Sequence, residues 1–434
     1  MKRLFAGIDL GTSGCRLIII DTDKNIHSSE SLSYSKPDEQ TPKLWWDSVS
    51  ELLKNLSPEI KLNLKSIAVD GTSGTVLLVD NKGKPITEAL MYNDLRATEE
   101  AEAIKQNLSS DNGGQGASGS LARVLWLLNH NLRNVEKRGW WDNKIHISHQ
   151  ADYILGKLSN NFTLSDENNC LKLGYDVVNQ CWPNELEKLG IPRTLFPKVY
   201  PAGTAVATIS QQLSKNLGLP KNLQLVTGTT DSIAAFIATG ADKIGDAVTS
   251  LGSTLVLKLI SNNPIFSSKH GIYSHRLKDK WLVGGASNSG AKVLQHYFSQ
   301  KQIDEMTMQL SADKPTNFNY YPLVQKGERF PVADSNKPAM LSPRPESDQK
   351  FFQGILEGIA NIESQGYQKL IKLGAPDVTS VRSVGGGSKN TAWTQIRRNS
   401  LRKNDVKIDM ITPKQTEAAY GSALLALQGF NEAK

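Results

Sequence analysis

The sequence predicts an α/β protein of two domains, and two observations predict it. The chain has 434 residues, too many for a single hydrophobic core. A distinctive strand–tip–strand pattern also occurs twice, once in each half. Leu10-Gly11-Thr12-Ser13 precedes the apolar run Leu17 to Ile20, and Leu251-Gly252-Ser253-Thr254 precedes Leu255 to Ile260. The second half opens near Leu223, so the expected domains are 1–222 and 223–434.

The first hairpin is formed by Leu4 to Ile8 and Leu17 to Ile20, with Gly11 and Gly14 at its tip. Glycines there allow a ligand to approach the backbone closely, and a row of N–H groups with the Thr12 and Ser13 hydroxyls suits a polyphosphate. Asp9 repels phosphate but can hold a divalent metal, usually through water. No GxxxxGK[ST] occurs, which excludes a P-loop. A helix is expected after Pro42, carrying Trp45, Val49, Leu52, Leu53 and Leu56. The Trp45-Trp46 pair reads either as core or as a wall of a sugar site.

Next, Ile67 to Val69 runs into Asp70-Gly71-Thr72-Ser73-Gly74 and then Val76 to Val79, a third strand pair with a small polar tip. Asn93, Asp94 and Arg96 stand at a loop-to-helix junction, where they read equally as polyol ligands or as a helix cap. In the second half, Leu223 to Val226 ends in Gly228-Thr229-Thr230-Asp231 before a helix. Pro315 to Pro345 reads as a surface excursion. A long helix spans Asp348 to Leu373. Val378 to Val384 runs into Gly385-Gly386-Gly387-Ser388-Lys389-Asn390 and a helix with Trp393 in its first turn. Three glycines there let a flat ring lie on the backbone, and a helix N-terminus offers free N–H groups. Trp393 reads as an adenine stacker or as core. The chain closes with the small-residue helix around Glu417-Ala418-Ala419-Tyr420-Gly421.

Composition is that of an ordinary globular protein, with 39% hydrophobic and 21% charged residues. The net charge of +7 is dispersed, apart from Arg397-Arg398 and Arg402-Lys403, which read as a solvated helix face or a nucleic-acid patch. Three cysteines without metal spacing point to a reducing compartment. No stretch has membrane-spanning length and no signal peptide is visible, so a cytoplasmic protein is expected.

Two halves, each with a phosphate-gripping hairpin, resemble the actin, hexokinase and heat-shock-chaperone superfamily, in which a nucleotide sits in the cleft between two ribonuclease-H-like domains. The ordered series Asp9-Leu10-Gly11-Thr12-Ser13, Asn93-Asp94-Leu95-Arg96, Gly228-Thr229-Thr230-Asp231, Leu251-Gly252-Ser253-Thr254, Gly385 to Asn390 and Glu417 to Gly421 narrows this. It resembles the FGGY carbohydrate kinases, and is most similar to a short xylulokinase-like subgroup that includes D-ribulose kinases. Ser120, Arg123, Trp126 and Asn129 resemble the family's first signature, with Arg123 where Lys normally stands.

The resemblance implies an ATP-dependent sugar kinase with Mg2+, acting on a ketopentose, D-ribulose first and D-xylulose second. A non-catalytic sugar-binding regulator and a nucleotide-driven conformational machine are the rival readings. It implies that Asp231 is the general base and that Asp9 orients the magnesium, through water, and approaches the substrate. Gly11, Thr12 and Ser13 face the phosphates from one side, Gly252 and Ser253 from the other. Gly386, Gly387 and Asn390 hold adenosine, with Trp393 beside them. Ser73, Asn93, Asp94 and Arg96 contact the sugar, together with Asp9 and Asp231. The expected partners are a sugar and ATP, without nucleic acid or membrane, in a monomer or homodimer.

Overall fold

The structure, a computed structural model, describes residues 2–37, 39–131, 145–403 and 408–433. The chain divides into two compact units, residues 1–238 with 415–434, and residues 239–414.

The first unit is built on a six-stranded sheet. Leu4–Leu10, Gly14–Asp21 and Ile26–Ser33 form an antiparallel meander. Leu64–Gly71 lies parallel to the first of them, Gln224–Val226 lies parallel to Leu64–Gly71, and Ala205–Thr208 closes the edge. Leu4–Leu10 is buried at every residue, because both faces of the sheet are covered. Successive residues serve opposite layers. Leu4, Ala6 and Ile8 pack with Trp45, Leu53 and Ile154 on one side. Phe5 packs with Ala419 and Ala423 of the helix Ala418–Glu432 on the other. That helix sits so close that a Cβ at Gly7 would fall 1.9 Å from Ala419 O, and one at Gly421 1.9 Å from Ala234 O.

The second unit repeats the scheme. Asp246–Leu251, Leu255–Ser261 and Lys280–Ser287 form the antiparallel meander, with Tyr273–Leu277 added at its edge. Ser380–Val384 runs parallel to Asp246–Leu251, and Asp409–Ile411 runs parallel to Ser380–Val384. The long helix Asp348–Lys372 is capped by Ser347 and buries Phe351, Phe352, Ile355, Ile359 and Ile362, as their spacing predicts.

Three expectations need correction. The division does not fall at 222/223. Gln224–Val226 pairs within the first sheet, the helix Asp231–Ala238 stays with it, and the helix Ala418–Glu432 returns to it. Residues 315–345 are not simply surface, since Tyr320, Leu323, Glu328 and Phe330 are buried. Trp45 takes the core reading of the two it offered, its indole donating to Gln40. The basic cluster is not one exposed patch, because Arg397 is buried in an ion pair; the Lys403 side chain lies outside the described residues. Among the described residues, no helix is long and apolar enough to cross a membrane.

Candidate functional site

Sheet order in the first unit brings its acids together. Asp9 and Asp70 are direct neighbours across the parallel ladder, both near the C-terminal ends of their strands. The next strand continues past Val226 until Thr230 bridges Gly71, and Asp231 follows at the first residue of its helix. Three carboxylates therefore stand on consecutive strand ends, the position where open α/β sheets bind ligands. Gly228 makes this possible, because a Cβ there would lie 1.7 Å from Val69 O. Thr230 O accepts the amides of Ile233 and Ala234, so the helix is entered through Thr230, and Asp231 Oδ1 accepts the Ser232 amide at 2.7 Å.

Asp9 is 4% exposed and Asp70 fully buried. Burial, followed by the negative charge of Asp9, holds Asp70 well above the usual carboxylate range. Burial also raises Asp9, against the hydrogen bond from Asp70 and the Arg16 guanidinium. Asp70 is thus the protonated partner. Its Oδ2 accepts from Ser422 at 2.6 Å, and Oδ1, which accepts from no donor, is the oxygen left for the shared proton. Arg16 faces Asp9 across the hairpin, with Nη1 3.0 Å from Oδ2, and its Nε lies 3.6 Å from Glu417.

The two hairpin tips present N–H groups. In the first, the protein takes up the carbonyls: Gln40 donates to Thr12 O at 2.7 Å and the Tyr34 amide to Ser13 O at 2.9 Å. In the second, the amide of Ala291 donates to Gly252 O and that of Lys292 to Ser253 O. Among the described residues, nothing accepts from the amides of Thr12, Ser13 or Ser253. Asp9 suits magnesium in the expected manner. It offers a single buried carboxylate beside a phosphate-sized row of donors, as Mg2+ requires when water and phosphate oxygens complete its shell. No group of three His, Cys, Asp or Glu suited to a metal occurs among the described residues.

The sugar candidates lie on two loops of the first unit, and a residue without an assigned role joins them. Arg123 is fully buried on the helix Ser120–Asn131. It donates Nη1 to Gly74 O at 2.8 Å, Nη2 to Tyr92 O and Asp94 O at 2.6 and 2.9 Å, and Nε to Asp94 O at 3.0 Å. One planar fork thereby fixes the Ser73-Gly74 turn to the Asn93-Asp94 loop. Desolvation lowers its pKa to about 10. Asp94 does not cap the following helix, which begins at Thr98. Its carboxylate holds the amide and guanidinium of Arg96, which also pairs with Glu88 and lies 4.8 Å over the Trp126 ring. Asn93 is exposed and Ser73 half-buried. Nearby, Ser120, His149 and Asp152 have the order of a nucleophilic triad, but all three are buried and Asp152 also accepts from Ser165, which makes them a structural network.

In the second unit, the glycine triplet follows directly on the ladder that carries the second hairpin, with Ser250 opposite Val384. Gly385 has φ +84°, and a Cβ there would fall 2.9 Å from Leu251 O, so only glycine brings the two loops this close. Gly386 opens onto free space, with nothing within 4 Å of its Cβ position. One expectation changes. Trp393 is 3% exposed, packs directly under Gly387 and donates its indole N–H to Leu356 O, so it supports the loop from the core and offers no face for stacking. Asn390 caps the helix Thr391–Lys403 through Oδ1, which leaves its Nδ2 group for a ligand.

Sequence reasoning missed Asp70, Arg16, Glu417 and Arg123 as members of these arrangements. Asp70 had a readable signal: like Asp9, it ends an apolar run and precedes a small-residue tip. Arg16 had one too, since hairpin pairing sets it opposite Asp9.

Comparison with known proteins agrees with this architecture. The profile of the N-terminal domain of the FGGY family of carbohydrate kinases matches residues 4–238, and that of the C-terminal domain matches residues 247–429. The xylulose kinase of Staphylococcus xylosus is 23% identical over 98% of this chain and 90% of its own length. The L-fuculokinase of Salmonella typhi is 23% identical, over 98% of this chain and 92% of its own. Among solved structures, a "xyloylose kinase" from Brucella ovis superposes with a TM-score of 0.86 at 22% identity, covering 100% of this chain and 91% of that one. The matched profiles together span nearly the whole chain, with the acidic strand ends in one and the glycine triplet in the other, and the chain belongs to the FGGY family of carbohydrate kinases.

Proposed function

We propose that this ATP-dependent sugar kinase phosphorylates a ketopentose, with D-ribulose as the substrate and the terminal hydroxyl as the acceptor. The observation that carries the reading is the placement of Asp9, Asp70 and Asp231 on consecutive strand ends, close to the polar loops that Arg123 joins. Phosphoryl transfer needs positioning, charge neutralisation and an oriented hydroxyl more than covalent chemistry. Asp231 orients the sugar hydroxyl and takes its proton late, as the bond to phosphorus forms. Arg16 and the hairpin amides of Thr12 and Ser13 meet the charge on the transferring phosphoryl group. Gly252 and Ser253 grip the phosphates from the second unit, and Gly386, Gly387 and Asn390 hold adenosine. Asp9 would hold Mg2+ through water, and the ion would supply neutralisation of phosphate charge. Ser73, Asn93, Asp94 and Arg96 pair with the sugar hydroxyls, which favours an open-chain polyol over a deoxy analogue.

D-xylulose is the second reading, and the names of several relatives support it. A coupled ADP-release assay over pentuloses, pentitols, hexoses and glycerol tests both. Highest kcat/KM on D-ribulose supports the first reading and highest on D-xylulose the second. Faster turnover of glycerol or a hexose than of either pentulose overturns both.

A further inference from the structure

We propose that the buried Glu363–Arg397 ion pair is a positioning element for nucleotide binding, setting the register between the second phosphate hairpin and the glycine triplet. The inference rests on the reading above that assigns those two loops to ATP.

Both side chains are 1% exposed. Arg397 reaches Glu363 in a bidentate fork, Nε to Oε2 and Nη2 to Oε1, each at 2.6 Å. Burying two charges costs free energy that apolar side chains of similar volume avoid, so stability alone does not call for them. What the pair supplies is direction. Glu363 Oε1 accepts the hydroxyl of Thr249 at 2.5 Å, and the Tyr367 hydroxyl, 2.8 Å away, donates to Thr249 in turn. Arg397 spends its remaining Nη1 on the Ser383 hydroxyl at 2.7 Å.

Thr249 and Ser383 are direct partners in the parallel ladder, one rung before its last pair, Ser250 and Val384. Beyond that rung one strand becomes the hairpin tip at Gly252 and the other the triplet at Gly385. The ion pair therefore holds both hydroxyls of a single rung at the point where the strands part into their loops. A slip of one residue would carry either hydroxyl to the opposite face of the sheet. Arg397 also sits on the helix whose first residue follows Asn390, so the same fork anchors the far side of the triplet. The tolerance is small, because the Cβ position of Gly385 already lies 2.9 Å from Leu251 O.

The test uses Thr249→Val, Thr249→Ser, Ser383→Ala and the double variant Glu363→Leu with Arg397→Met. A non-hydrolysable ATP analogue is titrated by calorimetry, and the KM of the sugar and the melting temperature are measured alongside. Loss of one buried charge-assisted hydrogen bond predicts an analogue Kd raised about 10-fold in Thr249→Val, with sugar KM nearly unchanged. Thr249→Ser keeps the hydroxyl and restores affinity. The double variant melts close to the wild type yet keeps the weakened nucleotide binding, which a purely structural role would not produce. Wild-type affinity in Thr249→Val and in the double variant overturns the positioning role alone. A wild type that binds no analogue overturns the loop assignment and the inference with it.

Discussion

The two hairpins share a backbone scheme and differ in charge. In the first, Leu10 pairs with Cys15 and the rung beneath is Asp9 with Arg16, an ion pair at 3.0 Å. In the second, Leu251 pairs with Leu255 and the rung beneath is Ser250 with Val256. Each tip has its carbonyls drawn into the protein, by Gln40 and Tyr34 in one case and by Ala291 and Lys292 in the other. The duplicated element is thus a device for displaying amides, and the ionic chemistry has been added to one copy only. Under the proposed mechanism both copies bind phosphate through these amides, and the first adds the Arg16 guanidinium.

That comparison is open to direct attack. The largest effect is expected outside both tips, at Asp231. Asp231→Asn should lower kcat about 100- to 10,000-fold, the usual range for a general base, while thermal shifts show a folded protein that still binds ATP. Near-normal turnover would remove Asp231 from the mechanism. Next comes the contrast between the hairpins. Arg16→Leu removes a charged donor and should lower kcat about 10- to 100-fold, whereas Ser253→Ala removes a neutral hydroxyl and should cost about 10-fold or less, mainly in KM for ATP. Equal effects on kcat from both would erase the distinction.

A third change addresses the loop proposed to hold adenosine. The Cβ of Gly386→Ala has nothing within 4 Å, so the fold should be kept while the KM for ATP rises about 10-fold and that for the sugar holds. Collapse of sugar affinity with intact ATP affinity would move the adenosine site elsewhere. The smallest effect is on stability. The folded pKa of Asp70 lies above its ordinary value of 3.8, so its contribution is complete below that value and lost as pH rises through the raised one. Asn cannot ionise and can still accept from Ser422. Asp70→Asn should therefore melt a few degrees higher than the wild type at pH 8, with the gain shrinking toward pH 4. A gain independent of pH would show that Asp70 is not held protonated.

What the sequence made legible is what local pattern encodes. Both hairpins, the long helix Asp348–Lys372 and the glycine triplet stand out because apolar periodicity and small-residue tips are short-range signals. The errors lie where partners are distant in the chain. Gln224–Val226 has only three residues, and what assigns it to the first sheet is a pairing with Ser66 to Ala68. The helix Ala418–Glu432 follows the second unit in sequence, but its small residues match Gly7 and Ala234 of the first. Residues 315–345 have a surface composition, yet Phe330 fills the space left by Gly285 and Gly366. Trp393 offered two readings of equal weight, and its burial, its packing under Gly387 and the indole bond to Leu356 O decide between them. Among site residues, Asp70 carried the same local signal as Asp9, but its pairing with a neighbour sixty-one positions earlier is a long-range contact that local pattern does not encode.

The return of the helix Ala418–Glu432 to the first unit also orders events during synthesis. Residues 239–414 form a continuous unit that can fold as soon as it clears the ribosome, whereas the sheet carrying Asp9, Asp70 and Asp231 has already waited, one face uncovered, for this helix to emerge. The reactive half of the protein is the last to be finished. A nascent chain stalled before residue 418 would therefore hold a complete glycine-triplet unit and an acidic sheet that still lacks this helix.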